Sequence, residues 1–160
     1  MIKVYTTGGS IDKIYSTQCS TFIVGQPQSG RILREANVGF KYEVVPLLAK
    51  DSLDLTPTDR QTIVEAVRSD PCEQILITHG TDSLIETAKA LSPVERKTIV
   101  LTGAMQPAAL KESDAAFNLG CAAIALQTLP HGVYIVMNGQ VFDPNRVRKD
   151  RRLDRFETVP

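Results

Sequence analysis

Tryptophan is absent from this chain, and cysteine is scarce: three in 160 residues, Cys19, Cys72 and Cys121, widely spaced and forming no CxxC pair. That excludes a disulfide scaffold and a structural zinc ribbon, and it fits a reducing compartment. No sign of charge prevails. Lysine plus arginine and aspartate plus glutamate number 18 each, so no net field steers the chain toward nucleic acid or a membrane surface. No apolar run approaches the roughly 18 residues that span a bilayer, and the start, MIKVYTTGGS, lacks the apolar stretch of a signal peptide. Internal repeats and low-complexity tracts are missing too. What remains is an ordinary balance, 42% hydrophobic and 22% charged, with enough length to bury one core. The expectation is a single cytoplasmic domain over residues 1–160.

Short apolar runs rich in β-branched residues read as buried strands: Ile2–Thr7, Lys41–Pro46, Gln74–Thr78, Lys97–Thr102 and Val133–Met137. Helical spacing lies between the later ones. Thr56-Pro57-Thr58-Asp59 combines a threonine cap, a proline at the first position and an acid three residues on, and Ile63, Val64 and Val67 follow on one face. Ser83-Leu84-Ile85-Glu86 has capping-box spacing ahead of Leu84, Ala88 and Leu91. A third helix is expected from Ser113 or Asp114, burying Phe117, Cys121, Ile124 and Ala125 and stopping near Pro130. Strands alternating with helices imply right-handed crossovers. The fold class is therefore α/β, a three-layer sandwich with a mainly parallel, doubly wound, Rossmann-like or flavodoxin-like sheet. Two segments break the alternation. Residues 10–31 read as a long hairpin or mobile loop, and 145–152 is a charge run with little apolar content until Phe156.

Ligands of parallel α/β sheets bind beyond the carboxyl ends of the strands. There the chain places Thr6-Thr7-Gly8-Gly9-Ser10, Lys50-Asp51-Ser52, Thr78-His79-Gly80-Thr81-Asp82, Thr102-Gly103-Ala104-Met105 and Asn138-Gly139. Hydroxyls and glycines on one rim can form a pocket of backbone N–H donors for an anion. Each piece also has a plainer reading. Gly8-Gly9 can simply turn the chain, and it is neither a Walker loop nor GxGxxG. Asp82 can cap a helix, His79 can hydrogen-bond to backbone, and Cys121 on an apolar stripe can belong to the core. Lysines in charge runs, as Lys149 is, are mostly solvated. His131 lies far from His79 in sequence, so no metal cluster is expected.

Thr7-Gly8-Gly9-Ser10-Ile11, Thr78-His79-Gly80-Thr81-Asp82-Ser83, Leu101-Thr102-Gly103-Ala104-Met105-Gln106-Pro107 and Ser113-Asp114-Ala115-Ala116-Phe117-Asn118-Leu119 resemble the bacterial-type L-asparaginases, in order, from residue 2 to about 157. The resemblance implies hydrolysis of L-asparagine to L-aspartate and ammonia without a cofactor. It maps a hydroxyl nucleophile onto Ser10 and a threonine–lysine–aspartate group onto Thr81, Lys149 and Asp82. A substrate carboxylate falls to Ser52 and backbone near Gly80-Thr81, the substrate ammonium partly to Asp82, and amide orientation to the Ala104 carbonyl. Gly9 lets backbone approach an oxyanion, and Tyr15 is favoured over Phe22 as the position of a lid phenol. A hydroxyl needs a base to attack, and a lysine beside Thr81 and Asp82 can supply one when desolvation lowers its pKa. Either Ser10 or Thr81 can attack first.

The sequence departs from the family at three points. Ser10 stands where threonine is usual and lacks the methyl that restricts the rotamer. Leu53 stands where a glutamine ligand for the ammonium is common. Family members also commonly carry a second domain that supplies ligands across a subunit interface, so a homo-oligomer is expected here. A start at Met1 favours a short single-domain form over a fragment. Rival readings are an amidase on another amide such as glutamine, the amide-supplying half of a tRNA-dependent amidotransferase, and a non-catalytic asparagine- or aspartate-binding module. A pure sensor has no need of Lys149, and a scaffold none of the hydroxyl-rich rim. Nucleic acid and membrane are not expected partners.

Overall fold

The computed structural model describes residues 1–160. In chain order the elements are β1 (Ile2–Gly8), a 3-10 turn (Ser10–Asp12), β2 (Lys13–Ser16), β3 (Thr21–Val24), α1 (Ser29–Glu35) and β4 (Tyr42–Lys50). A second 3-10 turn (Ser52–Asp54), α2 (Pro57–Ser69), β5 (Gln74–Thr78), α3 (Leu84–Leu91), β6 (Thr98–Thr102) and α4 (Ala115–Thr128) follow. The chain ends in β7 (Gly132–Met137), β8 (Gln140–Phe142), β9 (Val147–Asp150) and β10 (Arg155–Thr158).

Six strands form one sheet in the order β4-β1-β5-β6-β7-β8, parallel except for the antiparallel β7–β8 edge. All five strands expected from the sequence are in it, at or within a few residues of their expected bounds; β4 runs four residues further, to Lys50. Counting only the parallel strands, the chain order across the sheet is 2-1-3-4-5, the flavodoxin-like arrangement. The order reverses between β1 and β5, and that is where the site forms.

The core has two halves. On one face α2 and α3 bury Ile63, Val64, Val67, Leu84, Ala88 and Leu91 against Ile75, Ile77, Ile99 and Leu101; on the other, α1 and α4 cover Val4, Leu76, Val100 and Val136. α2 starts where expected, with a full capping box between Thr56 and Asp59. α3 also starts where expected, after Ser83, but without the expected capping box: the Ser83 side chain makes no cap bond, its hydroxyl donating to the Ser52 carbonyl at 2.6 Å.

The expected buried face of α4 is wrong. Phe117 and Ile124 are 61% and 62% exposed and Cys121 is half-buried, while Ala115, Asn118, Leu119, Ala122, Ala123 and Leu126 face the sheet beside the expected Ala125. The helix carries no charged residue, so apolar periodicity could not select a face; packing selected the small-residue stripe, which lets the helix lie close to β6 and β7.

Residues 10–31 contain the expected hairpin, β2 paired with β3, and then enter α1, which the sequence pattern did not reveal. The charge run 145–152 is also not simply a solvated face. It leads into β9, which pairs antiparallel with β10 and sets Phe156 opposite Lys149.

Candidate active site

Two glycine-bearing turns meet at the point where strand order reverses. Gly9 follows β1 with φ 82° and ψ −175°, a conformation open essentially to glycine alone. A Cβ built there meets the Gly80 Cα at 2.3 Å, and one built on Gly80 meets the Ser52 Cβ at 2.5 Å and its Oγ at 2.6 Å. The turns after β1, β4 and β5 are thus stacked at backbone contact. Ser10, Ser52 and Thr81 are brought together by close-packed main chain. The Gly9 N–H donates to the Lys50 carbonyl at 2.9 Å, so Gly9 contributes close approach rather than a free donor. Lys13 adds an ion pair between the first and second of these turns, its Nζ 2.6 Å from Asp51 Oδ2. The Lys13 hydrogen bond holds the Asp51 carboxyl below its usual range.

Lys149 joins the rim from the far end of the chain. Its Nζ donates to Thr81 Oγ1 and to Asp82 Oδ1, both at 2.8 Å. Its position follows from the hairpin: Asn118 Oδ1 accepts from the Asn138 N–H, Asn138 Oδ1 accepts from the Phe156 N–H, and buried Phe156 pairs across to Lys149. Arg151 also reaches Asp82, with Nη1 2.8 Å from the same Oδ1. Burial pushes the Asp82 carboxyl up, but Lys149 and then Arg151 outweigh it and hold the group below the usual carboxylate range. Asp82 is therefore an ionised partner of two cations, not a helix cap.

Ser52 is buried, and its Oγ accepts from the Ser83 N–H at 3.3 Å, leaving its own O–H to donate. His79 is buried as well: Nδ1 lies 2.8 Å from the Gly80 carbonyl and Nε2 2.8 Å from Thr87 Oγ1. Burial pulls its pKa down to about 4. A neutral ring with both nitrogens engaged braces the Gly80–Thr81 turn. Buried Ala104 follows β6 on a turn held by Asp114, whose carboxylate accepts from Met105 and Gln106, and by Asn118, whose amide donates to the Gly103 carbonyl. Asp12, two residues beyond Ser10, is buried too, its Oδ1 accepting from the Gln28 N–H.

Tyr15 does not join this group. It is 56% exposed, sits edge-on to Phe22 with ring centroids 5.6 Å apart, and hydrogen-bonds to nothing at the rim. Reading the sequence missed Arg151, the Lys13–Asp51 link and the bracing by Asp114 and Asn118, while the plainer reading of His79 as hydrogen-bonded to backbone holds. Asp114 and Asn118 were visible in the motif Ser113–Leu119, whereas Arg151 was hidden in a charge run. The two largest hollows, about 520 and 610 Å³, flank α4 far from the hydroxyls. Beside Lys149 the surface forms a smaller one of about 330 Å³, lined by Arg148, Lys149, Asp150, Arg151 and Arg152. No helix is long and apolar enough to cross a membrane.

Known proteins share this fold. The family described as asparaginase, N-terminal, matches residues 1–159. The chain is 37% identical over 116 residues to an L-asparaginase of Thermococcus kodakarensis, a match covering 69% of this chain and 35% of the relative. It is 45% identical over 98 residues to one component of the glutamyl-tRNA(Gln) amidotransferase of Methanococcus vannielii, covering 54% of this chain and 23% of that one. The solved thermostable L-asparaginase from Thermococcus kodakarensis superposes with a TM-score of 0.85 at 31% identity, over 99% of this chain and 51% of the other. The chain thus spans about a third of the curated L-asparaginase and about half of the solved one.

Proposed function

Because the chain belongs to the asparaginase family, matching its N-terminal domain, we propose that it hydrolyses L-asparagine to L-aspartate and ammonia through an acyl-enzyme on Ser10. The observation that carries this reading is Lys149 Nζ, 2.8 Å from both Thr81 Oγ1 and Asp82 Oδ1 at the end of β5.

The substrate carboxylate is held by the Ser52 hydroxyl and the amides of the Gly80–Thr81 turn, its ammonium by Asp82, and its side-chain NH₂ by the Ala104 carbonyl. Ser10 Oγ attacks the amide carbon, and the Ser10 amide stabilises the oxyanion. The C–N bond breaks as the serine proton passes through the Thr81 hydroxyl to the leaving nitrogen, releasing ammonia. Thr81 is suited to that relay because its oxygen accepts from Lys149 while its own O–H stays free. Water then attacks the ester along the same route, giving aspartate and restoring Ser10. Tyr15 reaches the site only when the β2–β3 hairpin closes over it. The enzyme works as a cytoplasmic homo-oligomer, a reading supported by the exposed, uncharged face of α4 and by three unpaired cysteines.

The test is ammonia release from L-asparagine and L-glutamine by the purified chain, with Ser10→Ala and Lys149→Ala in parallel. Asparagine turnover that falls by about three orders of magnitude in both variants is expected. Undiminished turnover in either variant refutes the assignment, and aspartate binding without turnover in the wild type makes the chain a binding module.

A further inference from the structure

Asp82 Oδ1 is crowded. Lys149 Nζ and Arg151 Nη1 both lie 2.8 Å from that single oxygen, and no other residue contributes to the pairing. Lys149 is fixed by the hairpin and by Thr81, and its side chain is only 16% exposed; Arg151 is 66% exposed and belongs to the basic hollow bounded by Arg148, Lys149, Asp150 and Arg152. Two of that hollow's arginines have other partners, Arg148 pairing with Glu157 and Arg152 with Asp150. Arg151 is the arginine whose charge is spent on Asp82, beside Lys149. Near Ser52, the neighbouring residue Leu53 is exposed and offers no acceptor for a cation.

These positions set a free α-ammonium in competition with Arg151 for Asp82. A substrate ammonium has to displace Arg151 from Asp82 or approach the second oxygen beside a guanidinium, and like charges at such separations repel. An ω-amide that keeps the carboxylate but lacks the ammonium meets no such competition. A guanidinium also has spare N–H donors in a fork suited to a carboxylate. Resting on the hydrolase reading above, we propose that Arg151 is a specificity-determining residue: it competes with the substrate ammonium for Asp82 and makes the site tolerant of ω-amides of dicarboxylic acids that carry no α-amine.

The experiment compares wild type, Arg151→Gln and Arg151→Lys on L-asparagine and on succinamate, the same molecule without its amine. Calorimetric binding of L-aspartate and succinate to the same three proteins runs alongside. An exposed competitor of this kind is worth about a two- to fivefold change. The asparagine-to-succinamate ratio of kcat/KM is expected to rise by that factor in Arg151→Gln, mainly through KM, and to stay unchanged in Arg151→Lys. The aspartate-to-succinate affinity ratio should move the same way. A ratio unchanged or lowered in Arg151→Gln overturns the proposal. If no protein turns over either amide, the hydrolase reading falls while the affinity ratio still decides the role of Arg151. If wild type binds neither acid, both fall.

Discussion

Replacing Asp12 by asparagine should expose a compensation built into the site. Burial pushes the Asp12 carboxyl up to about 6 from an ordinary 3.8, against the pull of the Gln28 N–H, while burial drags His79 down to about 4 from 6.5. The raised acid favours folding below pH 4 and loses that contribution as pH climbs through 6. The depressed histidine favours folding above pH 6.5 and loses its contribution as pH falls through 4. Each displacement is a little over two pH units, so at about 1.4 kcal/mol per unit each is worth about 3 kcal/mol, with opposite sign over nearly the same window. The depressed carboxylates Asp51, Asp59, Asp70 and Asp82 titrate below that window. Thermal unfolding of the wild type, followed by circular dichroism between pH 4 and 7, should therefore be nearly flat. In Asp12→Asn, whose side-chain oxygen still accepts from Gln28, the histidine acts alone. Stability should climb by about 3 kcal/mol from pH 4 to 6.5, and at pH 7.5 the variant should melt roughly 6–12 °C above wild type. A flat profile in the variant, or no gain at pH 7.5, refutes the reasoning.

Gly80→Ala forces a Cβ to 2.5 Å from Ser52 Cβ. It should cost about 1–3 kcal/mol in unfolding experiments and weaken aspartate binding in calorimetry. Gly39→Ala, with nothing within 4 Å of its added carbon, should do neither. In α4, Leu119→Ala should cost about 2–5 kcal/mol in denaturant melts, whereas Ile124→Ala, at an exposed position, should stay within about 1 kcal/mol. Comparable losses in both would restore the face that periodicity alone suggested.

The parallel sheet was legible because its strands are short apolar runs rich in β-branched residues, such as Gln74–Thr78 and Thr98–Thr102, and two of its helices because capping and spacing agree at α2 and spacing alone sufficed at α3. The facing of α4 was not, since an uncharged helix gives periodicity nothing to contrast. α1 was obscured because Ser29-Gly30 offers weak helix formers shortly after a proline. Ser10, Ser52, Thr81, Asp82 and Ala104 could be singled out because strand ends converge in such sheets. Lys149 could not be placed by local pattern, as its partner Thr81 is 68 residues away; only the resemblance marked it. Arg151 fell outside every matched motif, and the Tyr15 phenol, favoured through the resemblance, faces Phe22 instead of the rim.

The clasp from Asn138 to Phe156 also sets a schedule for the nascent polypeptide. Ser10, Ser52 and Thr81 are all synthesised, and their strands can pair, well before residue 149 exists. Lys149 is set against Thr81 and Asp82 by the pairing of β9 with β10 and the burial of Phe156. A chain stopped short of the β9–β10 hairpin can hold a largely complete parallel sheet and still lack the lysine that pairs with Thr81 and Asp82. The Thr81–Asp82 turn thus gains its lysine partner only once residues 67 or more positions downstream have been made and paired.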